Sequence, residues 1–406
     1  MQQKYSIASN WRSVLKRALA FFLPAFLLIG SITAAILWVT HKSEIKAICA
    51  KQWHTCRIQR QTIDADIGQV SADLAILANA RILHRLWDDN GNPVPSVLAD
   101  LKDAFLNFAK RRRLYDQIRL LDAAGMETAR VNFNNGHPVI VPPEDLQNKK
   151  GRYYFDDAFV LDRGEVFVSP LDLNIEHGKI ERPLKPMIRF ATPVFDHRGT
   201  KQGILLLNYL GSKLIDRFVS ISNPSDHSQP MLLNVEGYWL KGPDPKNEWG
   251  FMHADGKGRT FSNNFPVVWE RIKNQKHGQF QTPEGLFTFT TLFPLMKGQF
   301  SSTGSGEAYA PSERKLMPRQ YCWKIVSHVP KGNLEANQNR RLLYAALKPW
   351  EPFPSSCFRD RGCLPTRSID ASRPRWHYAS PMAGWNNWWK SARRNCAAVR
   401  KICALP

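Results

Sequence analysis

Residues 18–39, ALAFFLPAFLLIGSITAAILWV, run for 22 positions without a charge. At helical rise that is about the 30 Å of a bilayer core. A cleaved signal peptide carries a shorter apolar stretch of about 7–15 residues that ends in a small-residue cleavage site. This run continues to Trp38, an aromatic suited to the headgroup level. A transmembrane helix is therefore expected over 18–39, with Pro24 as a tolerated kink. Beyond it the apolar positions narrow to a stripe. Ile63, Ile67, Val70, Leu74 and Leu77 fall four, three, four and three apart, the a/d spacing of a helix packed along a seam. The spacing predicts a stalk helix over 40–87, packed on its own domain, on a second subunit, or on both. Run backwards, the seam reaches Cys56 and Cys49, either a link to a sister chain or two small apolar residues. The turn cluster DDNGNP at 88–93 ends the helix.

The period then shifts towards alternation. A polar helix around Ala99–Ala109 leads to strand-like Gln117–Asp122 and Glu127–Phe133, joined by a turn at Ala124-Gly125. A short helix around Arg152–Leu161 precedes strands at Glu165–Leu173, Met187–Phe195 and Gly203–Tyr209. After a linker helix, Leu210–Ser220, a smaller set follows: strands Met231–Asn234 and Tyr238–Lys241, helix Pro266–Lys273, and strands Gly278–Gln281, Leu286–Leu292 and Tyr321–Val329. Met296–Gln320 reads as a connection, Gly/Ser-rich in its first half. Strands joined mostly by hairpins, with no βαβ rhythm, predict an α+β fold with two antiparallel sheets in series.

Charge alters this picture only at the ends. The 406 residues carry a formal net charge of +21. The first 17 hold Lys4, Arg12, Lys16 and Arg17 with no acid, and 348–406 hold 11 Lys and Arg against three acids. No basic helix or aromatic-interleaved patch remains, so nucleic acid is not an expected partner. Basic residues before the span predict a cytoplasmic N-terminus, with everything after His41 outside. No HExxH, GxSxG or Walker motif is present, and STGSGEA at 302–308 lacks the Lys-Ser/Thr of a phosphate cradle, so no catalytic residue is expected. His177, near Glu176 and Glu181, and His137, alone, fall short of a converging ligand set. Neither a metal nor a cofactor is expected.

A family resemblance rests on YDQIRLLDAAGMETARVN, DLQNKKGRYYF, GEVFVSPLDLNIEHGKIERPLKPMIRFATPVFD and GILLLNYLG, followed by EGYWLKGP, EWGFM and WKIVSHVP. Over about residues 43–340 the chain resembles the double-Cache, tandem PAS-like sensor regions of bacterial histidine kinases, diguanylate cyclases and chemoreceptors. The resemblance implies a membrane-distal Cache module at 88–218 that binds a small molecule, and a membrane-proximal one at 219–335 that couples it to the bilayer. In such sensors the pocket lies between the distal sheet and the helix and loop covering it. Here that maps to Arg152, Tyr153 and Tyr154, the strand end from Ser169 to Asp172, and Arg189. A guanidinium binds carboxylate bidentately, tyrosine offers a flat face with a hydroxyl, and Asp172 accepts from an amine. A carboxylate or zwitterion fits this set. The alternative is that Arg189 and Asp172 form a structural ion pair and the tyrosines fill a core. Amino-acid-binding Cache domains place Trp-Tyr a few positions after their Arg, whereas Arg152 abuts Tyr153 directly, which leaves the ligand open.

Family members return through the membrane to a cytoplasmic output domain. Here 336–347 reads as a truncated return helix, since only Leu342–Leu347 is uncharged before Lys348-Pro349. Residues 348–406 carry seven Pro, five Trp, eight Arg and four Cys with no helical or strand period. An out-of-frame or disordered tail is expected. The alternatives are a genuine appendage held by Cys357, Cys363, Cys396 and Cys403, or an amphipathic turn around Trp385, Trp388 and Trp389. The resulting expectation is a membrane-anchored extracytoplasmic sensor without its output domain, not an enzyme. Its expected partners are a small-molecule ligand, the lipid bilayer, and either a second copy through the stalk or an intact signalling protein as heterodimer. A periplasmic binding or scaffold protein with a genuine tail is the alternative.

Overall fold

The computed structural model describes residues 10–334 apart from 177, 224–226 and 308. The chain divides into two units, Met1–Leu347 and Lys348–Pro406, and every described residue lies in the first. The expectations for His177, for the return helix at 336–347 and for the tail at 348–406 fall outside the described residues.

One helix, α1 (Asn10–Ala78), carries both the apolar run and the stripe, with Pro24 inside it. Around the run, side chains such as Phe21 and Phe26 are exposed on all sides. Among the described residues this is the one helix long and apolar enough to cross a membrane. Farther along, α1 buries a single face. Ile63, Ile67, Val70, Leu74 and Leu77 are all buried against the protein's own core, so the stripe is an intramolecular seam. Cys56 is equally enclosed, its thiol 3.7 Å from the Thr288 carbonyl and pushed up to about 12 by burial. It is therefore a small apolar residue rather than a link to a sister chain. The helix ends at Ala78, short of the expected 87. Ala80 turns to extended backbone, and α2 (Arg81–His84) folds back so that Leu83, Leu86 and Trp87 join the core. The Asp88 carboxylate then accepts from the Asn90 and Asn92 amides and closes the turn.

The first sheet is built after α3 (Pro95–Arg112). Strands β1 (Tyr115–Asp122) and β2 (Glu127–Asn132) form the predicted hairpin. Gly125 in its turn has φ +80°, and a Cβ there would lie 2.7 Å from the Lys150 amide nitrogen, so only glycine fits. Next come β3 (Val139–Ile140), α4 (Tyr153–Phe159), β4 (Val166–Val168) and β5 (Asp172–Leu173). The strand expected over Glu165–Leu173 is broken because Pro170 has no N–H for the ladder. A small hairpin, β6 (Ile175–Glu176) and β7 (Lys179–Ile180), leads to β8 (Pro186–Phe195), β9 (Lys201–Leu210) and α5 (Gly211–Ser220).

The second sheet comprises β10 (Gln229–Leu233), β11 (Trp239–Lys241), α6 (Phe261–Asn264), α7 (Pro266–Ile272), β12 (His277–Thr282) and β13 (Gly285–Leu292). After β14 (Gln299–Ser302) and β15 (Lys315–Leu316) it is completed by β16 (Trp323–Pro330). Its order is β11-β10-β16-β13-β12. The expected connection Met296–Gln320 thus contains two strands, and they belong to the other sheet, whose order is β15-β14-β4-β8-β9-β1-β2-β3 with β5 on β8. There β14 runs parallel to β4, Gln299 opposite Val166. Strands this short show no periodicity to read.

Both sheets pack on α1. Ile45, Ile48 and Cys49 meet Leu286, Val329 and Leu334 of the second, and Ser327 on β16 donates to Gln52 at 2.5 Å. Higher up, Asp73 accepts from the Tyr115 hydroxyl and Gln299 donates to Ser71 at 2.9 Å. The second sheet therefore sits on the part of α1 nearer the apolar run. The first sheet is buried on both faces: Leu205, Leu207 and Tyr209 of β9 point to the core shared with α1 and α3, and Ile204 and Leu206 point to α4.

Candidate ligand site beneath α4

The face of the first sheet that α4 covers is apolar at one end and polar at the other. At the apolar end, Tyr154, Phe155 and Ala158 of α4 rest on Leu121, Phe167, Ala191, Ile204 and Leu206. At the polar end, Asn132, Gln117, Asn208 and Arg189 stand side by side across β2, β1, β9 and β8. Arg130 and Arg119 form the next row on β2 and β1. The start of α4 and the segment from Ser169 to Glu176 enclose this end.

All six residues singled out in the sequence meet here. Arg189 donates from Nη1 to Asp172 Oδ1 at 2.7 Å and from Nη2 to Asn174 Oδ1 at 3.0 Å. The Tyr153 hydroxyl donates to Asp172 Oδ2 at 2.6 Å, so both carboxylate oxygens are engaged within the protein. Where Pro170 breaks the strand, the Ser169 hydroxyl accepts from the Arg189 amide at 2.8 Å and replaces a ladder carbonyl. Arg152 donates to the Ile175 carbonyl at 2.9 Å. The Tyr154 ring centroid lies 5.0, 5.6 and 5.7 Å from the guanidinium carbons of Arg189, Arg119 and Arg152. The alternative reading of Arg189 and Asp172 as an ion pair is thus geometrically present, and the pair is also part of the wall.

Further residues complete the site without having been singled out. Arg119 donates to Asn208 Oδ1 at 2.8 Å and pairs with Glu127 at 3.2 Å, and Arg130 pairs with the other oxygen of Glu127 at 3.4 Å. Lys149 is buried and bonded to Gln147. Their signal was alternation: Gln117 and Arg119, or Asn208, are polar side chains two apart or isolated in strands otherwise apolar, and such residues are seldom buried without a purpose.

Charge in the site is unbalanced. Of the described residues around the site, Arg119, Arg130, Lys149, Arg152 and Arg189 are buried against the buried carboxylates Glu127 and Asp172, while Asp116, Glu176, Glu181 and Lys185 are half-buried. Burial alone would raise the Tyr154 phenol, yet the charges of Arg119, Arg152, Lys149 and Arg189 together outweigh it and hold the group below the usual phenol range. Glu176 behaves likewise, burial being overcome by Lys149, Arg119 and Arg130. Burial lowers Lys149. The Nε donors of Arg119 and Arg189 are enclosed with no acceptor among the described residues. At the same end of the sheet a cleft of about 240 Å³ is lined by Gln117, Arg130, Asn174, Asp116, Glu176, Glu181 and Lys185 among others, though not by Arg119 or Arg189 themselves. Excess buried cations, unfilled donors and an adjoining polar cleft are suited to holding an anion.

The sequence pattern of one family, described as bacterial histidine kinase, sensor domain, matches residues 58–300, more than half of the chain. The protein belongs to this family. The matched region is the sensing part of such kinases, not the catalytic part. Two solved structures share the fold of this sensor domain. One is a domain of a protein described as sensory box/GGDEF family from Vibrio parahaemolyticus, with 19% identity, a TM-score of 0.59, and coverage of 72% of this chain and 99% of that one. The other is the extracellular domain of the histidine kinase vpHK1S-Z8, at 19% identity and TM-score 0.59, covering 76% and 100%. A weaker likeness, TM-score 0.46 at 8% identity over 73% and 98%, is to the isoleucine-bound sensory domain of the Campylobacter jejuni chemoreceptor Tlp3. No curated protein matches the chain. The double-Cache resemblance and the α+β class read from the sequence thus agree with the family and with the fold.

Proposed function

We propose that this sensor domain binds a small carboxylate or zwitterion between α4 and the first sheet, and that α1 anchors it with the N-terminus in the cytoplasm of a bacterium and the sheets outside the inner membrane. The observation that carries the ligand class is the pair of enclosed, unfilled Nε donors on Arg119 and Arg189 within a surplus of buried cations. Arg119 and Arg189 are each paired with one carboxylate, Glu127 and Asp172, and a buried donor left without an acceptor costs about 1–3 kcal/mol, which a matching anion would offset. Arg152, Tyr153, Tyr154, Ser169, Asp172 and Arg189 form the inner wall. In this reading a ligand carboxylate faces Arg119, Arg152 and Arg189, and an amine, where there is one, faces Asp116, Glu176 and Glu181 at the cleft. The first sheet is then the distal, ligand-binding module and the second the proximal one.

The test is thermal unfolding of the full chain in detergent with separate panels of amino acids, simple carboxylates and simple amines. A carboxylate at 100 times its Kd should add about 2.7 kcal/mol of stability. Arg152→Ala removes a guanidinium whose protein acceptor is a single carbonyl, and it should weaken that effect at least about tenfold in concentration. Stabilisation by amines that lack a carboxylate, or a response that Arg152→Ala leaves intact, would sink the proposal.

A further inference from the structure

The two sheets are joined by more than α1. After β13 the chain leaves the second sheet, crosses to the first as β14 and β15, and returns as β16, which lies between β10 and β13. On the way it touches the frame of the ligand site repeatedly. β14 lies beside β4, the strand that leads into Ser169. Gly304, at φ +69°, is pressed on that corner so closely that a Cβ would come within 3.0 Å of Pro170 Cγ and 3.5 Å of Tyr153 Cζ. The Tyr309 ring lies 5.3 Å from the Arg152 guanidinium. Finally, Tyr321 donates its buried hydroxyl to the Ser169 carbonyl at 3.2 Å.

Ser169 is therefore held from two sides. Its hydroxyl receives the Arg189 amide at 2.8 Å, and its carbonyl receives Tyr321. The Tyr321 ring meets edge-on, at 5.8 Å, the ring of Trp323, the first residue of β16. Ser327 on the same strand is bonded to Gln52 of α1. A cavity of about 60 Å³ between Pro170, Leu171, Tyr321 and Trp323 leaves the corner room to shift against the strand. Packed interiors transmit displacement because they have so little free volume elsewhere.

We infer that Tyr321 is a positioning residue that transmits movement of the Ser169–Asp172 corner to β16, and through β16 to α1. The inference rests on the proposed ligand site only for what moves the corner, so it is testable without a ligand. Spatial sequence alone does not establish coupling, and non-additivity does. Amide hydrogen exchange would be measured on the full chain in lipid nanodiscs for the parent protein, Tyr153→Phe, Tyr321→Phe and the double variant. Tyr153→Phe loosens the corner by removing the hydrogen bond to Asp172. It should accelerate exchange of the Trp323–Pro330 amides at least about threefold, and in the Tyr321→Phe background the same change should produce almost none of this. Should Tyr153→Phe leave the first sheet itself undisturbed, Asp172→Asn perturbs the corner more strongly, and the same non-additivity is required of it. Equal acceleration with and without the Tyr321 hydroxyl, or no response in β16 while the first sheet loosens, would overturn the inference. Failure of carboxylates to bind would leave it standing, so the two proposals fail separately.

Discussion

The first and second sheets are each covered on one face by short helices; the face under α4 is apolar at one end, like that of the second sheet, and polar at the other. Under α4 stand Arg189, Arg119, Gln117 and Asn208. Under α6 and α7 the corresponding interior is Met231, Leu233, Phe287, Phe289 and Val326, against Phe261, Val268 and Ile272. Polar side chains there are His328, stacked on Phe287 at 4.2 Å, and the buried Lys324, which donates to the Gln275 carbonyl at 2.7 Å. The second interior is mostly apolar, although the Trp239 Nε1 donor is enclosed there with no acceptor among the described residues. The first holds more buried cations than buried carboxylates, the imbalance on which the proposed anion site rests. In the proposed reading one sheet is a strut and the other a receptor.

The sharpest way to break this contrast is to remove one key side chain from each interior. Phe287→Ala should cost about 3–5 kcal/mol by emptying a packed core, and should leave ligand affinity unchanged. Arg189→Ala should cost a similar 3–5 kcal/mol for another reason: it strands the buried Asp172 carboxylate. The two are told apart by repair. Arg189→Met with Asp172→Leu removes both charges and should recover most of the stability in urea unfolding while abolishing carboxylate binding. If the double variant stays as unstable as Arg189→Ala, the pair is not the source of the loss. Tyr153→Phe is milder, losing a hydrogen bond to a charged acceptor worth about 1.5–3 kcal/mol. A midpoint shift under about 0.5 kcal/mol would show that Asp172 finds another donor.

What the sequence revealed follows the same division. The apolar run, the Ile63–Leu77 stripe and most strands were legible because burial imposes a period. The hairpin at Ala124-Gly125 was legible because its turn demands glycine. Where local rules compete, reading failed: α1 stops at Ala78 because Leu83, Leu86 and Trp87 are drawn into the core, a tertiary demand with no local sign. The strands β14 and β15 went unseen because a pair of short edges borrows its order from a partner far along the chain. At the site, Arg152, Tyr153, Tyr154, Ser169, Asp172 and Arg189 came from resemblance. Arg119, Arg130 and Asn208 were missed although their alternation pointed to them, since only sheet register shows that they stand in adjacent rows on one face.

Acid should separate the two interiors by the smallest margin. His328 is buried, its ring nitrogens 3.3 Å from Gln229 Oε1 and 3.2 Å from the Glu284 carbonyl, and burial lowers its pKa despite that carbonyl and the Glu284 charge. Because the folded value lies below the unfolded one of about 6.5, the unfolded chain binds the proton first. The stability the neutral ring confers is complete above about pH 6.5 and drains away as pH falls towards the folded value. Tyr154 works the other way: its depressed phenol adds stability only as pH rises towards about 10, so it contributes nothing to an acid transition. Between pH 7.5 and 5.5 the parent protein should therefore lose more stability than His328→Gln in urea midpoints. The excess should appear in exchange of the second sheet before the first. An equal loss in both proteins would place the acid-sensitive group elsewhere, and the second interior would no longer count as the one whose polar group is held neutral.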